Sequence, residues 1–124
     1  MGKKKIVAIE DDQDFLVLVK LMLADETLEV VSASSGVEGL EAVRTHHPDL
    51  VLLDLMLPDL NGWEIYVQMR DDPALEHIPV IILTCQGTRY DRTFGLYVAH
   101  VHDYLMKPFL PSQLRRSVAS ALGE

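Results

Sequence analysis

An α/β fold, with one parallel sheet covered by helices on both faces, is the architecture this sequence predicts. Three features point to it. Short β-rich runs alternate with amphipathic stretches five times along 124 residues. The central run, Asp49-Leu50-Val51-Leu52-Leu53-Asp54, is unbroken apolar between its two acids, as suits a strand covered on both faces. The connections are short, which favours consecutive β/α units wound one after another.

Each element has its own local cause. Lys5–Ile9 reads as a buried strand, and Phe15–Leu23 as a helix with Phe15, Leu18, Val19 and Met22 at helical spacing. Glu29–Ala33 is the second strand. Ser35 and Glu38 then stand at capping-box spacing, a hydroxyl and a carboxylate that can each satisfy a free backbone N–H. The helix they open ends near His46-His47-Pro48. After the Asp49–Asp54 strand, Gly62–Arg70 forms a third helix, and Ile78–Leu83 leads into the fourth strand. A fourth helix is expected over Thr88–Val98 and a short fifth strand over Asp103–Met106. Pro111 opens the last helix, where its fixed φ and missing N–H cost nothing. Leu114, Val118 and Leu122 give that helix an apolar face.

Bulk properties bound the function. The length suits one domain over residues 1–124, and 48% hydrophobic residues suffice for one core. No apolar run reaches the ~18 residues of a membrane span. The four apolar residues between Lys5 and Glu10 are too few for an export signal. Ile6 stands where a myristoylation signal needs Ser or Thr. Lone Cys85 leaves no partner for an internal disulfide and fits a reducing compartment, so a cytoplasmic location is expected. A net charge of −8 argues against direct nucleic-acid binding by this domain, because phosphate neutralisation needs a basic face.

The strand ends carry the chemistry. In open α/β sheets, ligands sit beyond the carboxyl ends of the strands, where the winding reverses. Here the first strand ends in Glu10-Asp11-Asp12, the third in Asp54 and the fourth in Thr84, and the fifth is followed by Lys107. If the first and third strands are neighbours, Glu10, Asp11 and Asp54 converge and repel one another unless a cation is present. A hard divalent ion with oxygen ligands, Mg²⁺ above all, resolves this. Lys107 then supplies a point charge for a phosphoryl group and Thr84 a hydroxyl donor. Any one of these acids alone is more often a loop acid or a helix cap, and Asp12 reads as the N-cap of the first helix. The conjunction of acid, acid, hydroxyl and ammonium on four strand ends is what singles out the site.

These segments resemble the response-regulator receiver family, the CheY-like domains. The resemblance rests on Ile6–Asp12, on Asp49–Pro58 with Asn61-Gly62, on Pro79–Thr84 and on Asp103–Phe109, and it covers nearly the whole chain. It implies a flavodoxin-like, doubly wound (βα)5 three-layer sandwich with strand order 2-1-3-4-5. It implies transfer of a phosphoryl group from a phosphohistidine of a sensor histidine kinase, or of a phosphotransfer protein, to Asp54. Mg²⁺ is then held by Asp11, Asp54 and the Met56 carbonyl, with Glu10 acting mainly through water. Lys107 pairs with the phosphoryl oxygens. Thr84 and Tyr104 act as the switch, Tyr104 moving from an outward to an inward position and remodelling the face of the fourth helix, fifth strand and fifth helix. A cis bond before Pro108 is also implied. The domain is then a phosphoacceptor that assists its own phosphorylation and dephosphorylation, rather than an enzyme acting on other substrates.

The departures from the family pattern fall elsewhere. Cys85 follows Thr84 where Ala or Gly is usual. Ala99-His100-Val101-His102-Asp103 replaces a frequent Gly-Ala-Asp-Asp before the tyrosine. Leu110 stands at a frequent Ser N-cap, and Ser117 where DNA-binding members often carry a dimer-forming Arg. Cys85 is read as a small buried residue, Trp63 as a packing residue, and His46 and His47 as residues of a helix C-terminus. His100 and His102 fall short of the four ligands of a structural zinc site. Tyr90, Phe94 and Tyr97 form one helical stripe, with Thr93 and Leu96 on the core side, and are read as a homodimer or effector surface, the competing reading being a rotated helix whose aromatics fill the core. Two rival chemistries fit less well. A flavin phosphate would meet repulsion at Glu10-Asp11-Asp12, and an aspartyl-phosphate phosphatase or mutase needs a second acid where Met56 stands.

Overall fold

The computed structural model describes residues 2–85, 94, 96 and 99–124. Five parallel strands form one sheet: β1 (Lys4–Ile9), β2 (Leu28–Ala33), β3 (Leu50–Leu53), β4 (Val80–Thr84) and β5 (Asp103–Met106), in the order β2-β1-β3-β4-β5. Among the described residues there are four helices, α1 (Gln13–Met22), α2 (Gly36–His46), α3 (Gly62–Asp71) and a C-terminal helix, Pro111–Ala121. The predicted alternation, the strand order and the start of the last helix at Pro111 hold. The expected fourth helix lies outside the described residues apart from Phe94 and Leu96, as do Tyr90, Thr93 and Tyr97.

Period-two alternation along the strands divides the core in two. Val7, Ile9, Val51, Leu53, Val80 and Ile82 face α2 and α3, where Leu40, Val43, Ile65 and Met69 meet them. Ile6, Ala8, Leu50, Leu52, Ile81 and Leu83 face α1 and the C-terminal helix, meeting Leu16, Val19, Leu114 and Val118. All four residues of β3 are buried, which accounts for its unbroken apolar run. Each fully buried aliphatic side chain of this kind contributes about 1.5–3 kcal/mol of transfer free energy.

Capping follows the sequence closely. The Asp12 carboxylate accepts the Phe15 N–H at 3.1 Å and starts α1. Ser35 Oγ accepts the Glu38 N–H at 3.2 Å, while the Glu38 carboxylate takes the Ser34 N–H at 3.1 Å rather than that of Ser35. His47 closes α2 in the left-handed region at φ 44°, its N–H on the Val43 carbonyl, and His46 lies in the last turn. Leu110 offers no side-chain cap, and Gln113 compensates by accepting the Leu110 N–H at 2.7 Å.

One expected face is corrected. Leu18 is half exposed, and the stripe of α1 that enters the core is Leu16 and Val19, continued by Leu23. The pattern Phe15-Leu16-Val17-Leu18-Val19 is apolar all round, so its period does not single out a face. The angle at which α1 lies on the sheet does.

Candidate functional site

The winding reverses between β1 and β3, and their register aligns Ile9 with Leu53. Glu10 and Asp54 therefore leave the sheet side by side. Their backbones are held there: Glu10 N–H donates to the Ala33 carbonyl at 2.9 Å and Asp54 N–H to that of Ile9 at 3.1 Å. Both side chains are buried, and Asp11 beside them is exposed. One carboxylate oxygen from each of Glu10, Asp11 and Asp54 lies within 4.8 Å of the others, close enough to share one cation. That donor set, hard oxygens in a partly open cluster, fits Mg²⁺.

Lys107 reaches the same point from the far side of the sheet. β5 pairs with β4 through Thr84 and Met106, and the Lys107 N–H donates to the Thr84 carbonyl at 2.8 Å. Its ammonium donates to Glu10 Oε1 and, at 3.2 Å, to Asp54 Oδ2. Burial pushes the Glu10 carboxyl up to about 7, and the neighbouring Asp54 carboxylate adds to the rise while Lys107 opposes it. Burial alone would lower the Lys107 pKa, but its hydrogen bond to Glu10 and the charge of Asp54 outweigh this and hold it above the usual lysine value. Thr84 is fully buried at the end of β4. The Lys107–Pro108 bond is cis.

The loop after β3 is held as firmly as the strand. Met56 N–H donates to Asp54 Oδ1 at 2.9 Å, and Met56 bridges to Asn61. Asn61 caps α3 by accepting the Trp63 N–H at 2.8 Å. Gly62 lets α3 begin directly against Asp54, since a Cβ there would stand 2.6 Å from the Asp54 carbonyl oxygen. The Asp59 carboxylate spans to α2, accepting the Gly36 N–H at 2.7 Å and the Val37 N–H at 3.0 Å. The sequence reading passed over Asp59, because its partners lie on another helix and nothing in its neighbours indicates them.

The remaining residues sort clearly. Tyr104 is buried at 1% exposure. Cys85 is exposed rather than buried, because β4 ends its pairing at Thr84 and the next residue leaves the sheet. Trp63 stacks edge-on against Tyr66 and Phe94, as a packing residue does. Phe94 is about half exposed, while Leu96 lies against the core. His102 Nε2 lies 3.1 Å from Ser120 Oγ, and Ser117 donates to Asp103 Oδ2 at 2.7 Å. No metal-binding cluster forms around His100 and His102; among the described residues the three-acid group is the one that could hold an ion.

A buried carboxylate beside an ammonium, with a cation-ready acid pair at a topological switch point, defines a phosphoryl-accepting α/β domain. Residues 6–119 match the response regulator receiver domain, and the chain belongs to that family. Receiver domains of this family act in two-component signalling, where phosphorylation on aspartate is their general function. The alkaline phosphatase synthesis transcriptional regulatory protein PhoP of Bacillus subtilis is 34% identical over 119 residues, covering 96% of this chain and 48% of that protein. The DNA-binding response regulator MtrA of Mycobacterium leprae is 34% identical over 120 residues, covering 97% and 52%. The chain thus spans about half the length of these curated relatives. Among solved structures, a CheY-like receiver domain protein from Methanospirillum hungatei superposes with a TM-score of 0.87 at 28% identity, covering 98% of this chain and 95% of that one. A Francisella response regulator receiver domain gives 0.87 at 26% identity, covering 98% of each.

Proposed function

We propose that residues 1–124 act as one receiver domain whose phosphoacceptor is Asp54. The single observation that carries this reading is the Lys107 ammonium standing between the buried carboxylates of Glu10 and Asp54. A carboxylate oxygen of Asp54 attacks the phosphorus of a phosphohistidine on a sensor histidine kinase or phosphotransfer protein. The new P–O bond forms as the P–N bond breaks, and the imidazole leaves with that electron pair and takes up a proton. Lys107 meets the phosphoryl oxygens, so the charge is stabilised by a group already in place. Asp11, Asp54 and the Met56 carbonyl would hold Mg²⁺, with Glu10 acting through water, and the ion would supply positive charge that offsets the carboxylates and the phosphoryl oxygens.

The switch is a shift between two packings, of which the buried position of Tyr104 is one. Thr84 donates its hydroxyl to the phosphoryl group, and the change passes to the face that carries β5, the C-terminal helix and Phe94. That face is the surface offered to a second copy or an effector. A cytoplasmic location is part of the same reading, since the phosphodonor is a cytoplasmic kinase domain; no helix among the described residues is long and apolar enough to cross a membrane.

The test is incubation with Mg²⁺ and acetyl phosphate, followed by intact-mass spectrometry. One acid-labile phosphoryl group is expected on the wild type and none on Asp54→Asn. The same adduct on both proteins would overturn the assignment.

A further inference from the structure

The Lys107 ammonium has a third neighbour besides its two carboxylates. Its Nζ lies 4.0 Å from the centroid of the Phe15 ring, well inside the range at which a cation is attracted to an aromatic face. The ring does not stand alone. Phe109 meets it edge to face, with centroids 5.9 Å apart and planes at 86°, a favoured aromatic geometry. Phe15 is also fixed at its backbone, where Asp12 accepts its N–H at 3.1 Å in the first turn of α1. The lysine side chain is only 16% exposed, so little water competes for the ammonium and the ring's quadrupole acts at greater strength.

We propose that Phe15 is a positioning residue for Lys107: its ring, braced by Phe109, is the wall that keeps the ammonium aimed between Glu10 and Asp54. Lysine has four rotatable side-chain bonds and makes no bidentate, self-orienting contact. Two carboxylates alone hold it by charge, and once a phosphoryl group occupies Asp54 the ammonium must turn toward new oxygens. A ring face beside it narrows that choice without adding a competing hydrogen-bond acceptor. This inference deepens the phosphoacceptor reading and rests on it, but its geometry is testable without phosphorylation.

Two readouts test it. In metal-free protein, the ring current of Phe15 displaces the Lys107 ε-methylene protons upfield in the NMR spectrum, and Phe15→Leu returns them to the ordinary lysine position. A Lys107 resonance at the ordinary position in the wild type would overturn the pairing, even if Asp54 proved not to be phosphorylated at all. Second, site-specific incorporation of mono-, di- and trifluorinated phenylalanine at position 15 keeps the shape while draining the ring face of negative charge. The rate of phosphorylation by acetyl phosphate with Mg²⁺ should fall stepwise, ~3- to 10-fold across the series, with melting temperature nearly unchanged. Phe15→Trp should retain the rate. A side chain that merely filled space would be indifferent to fluorination, so equal rates across the series would overturn the positioning role.

Discussion

At the amino-terminal ends of the strands, Asp49 accepts the Lys5 N–H at 2.8 Å, and Asp103 accepts the Tyr104 N–H at 2.8 Å and the Ser117 hydroxyl at 2.7 Å. At the carboxyl-terminal ends, Glu10, Asp11 and Asp54 crowd within reach of one ion, and Lys107 bridges two of them. The residue types are the same and the sheet is the same. The difference is that the acids at the first end meet neutral donors alone, whereas at the second end Glu10 and Asp54 share one ammonium and Asp11 lies beside them. Acids of the first kind tie elements together. Those of the second kind are mutually repulsive, and that repulsion is what a divalent ion would relieve.

The contrast is sharpest in its response to metal. A ligand that binds the native state alone stabilises it by about 2.7 kcal/mol at one hundred times its dissociation constant. Melting temperature should rise with Mg²⁺ in the wild type and in Asp49→Asn, and much less in Asp11→Asn. An equal rise in Asp11→Asn, followed by calorimetry, would break the distinction between the two ends.

A smaller effect is expected at the amino-terminal end. Asp103→Ala leaves the buried Ser117 hydroxyl without its acceptor, which should cost on the order of 1–2 kcal/mol in urea unfolding. Its Mg²⁺ response should stay that of the wild type. A change in that response would mean that the two ends are coupled.

A third effect is one of pH. The Glu10 carboxyl sits at about 7 in the fold against an ordinary value of 4.5. Between those values the folded protein keeps a proton that the unfolded chain has lost, so stability falls as pH rises through this window and levels off above it. Lys107 is raised from an ordinary 10.5 and acts above the window. Asp59 and Asp25 are held below the usual carboxylate value of 3.8, by the backbone N–H of Val37 and of Thr27 respectively, and act below the window with the opposite sign. Thermal melts in EDTA should show the decline in the wild type and a flatter profile in Glu10→Gln. A decline of equal slope in both would assign the titration to another group.

The sequence by itself determined the elements and the inventory of the site. Strand and helix periods, the caps at Asp12 and Ser35 and the Pro111 start are local, set by residues within a turn or two of one another. The acids, the hydroxyl and the lysine at four strand ends were legible because the rule that sites lie beyond carboxyl ends needs only strand positions. What the tertiary structure decided are contacts between distant segments and choices that local pattern leaves degenerate. Leu18 rather than Leu16 was expected inside because α1 is apolar around its circumference. Cys85 was expected inside because the end of β4 is set by pairing with β5. Asp59 clamping α2, and Phe15 lying under Lys107, join segments that no spacing rule connects. They depend on the angles at which helices settle on the sheet, and those are fixed by the packing of the whole core.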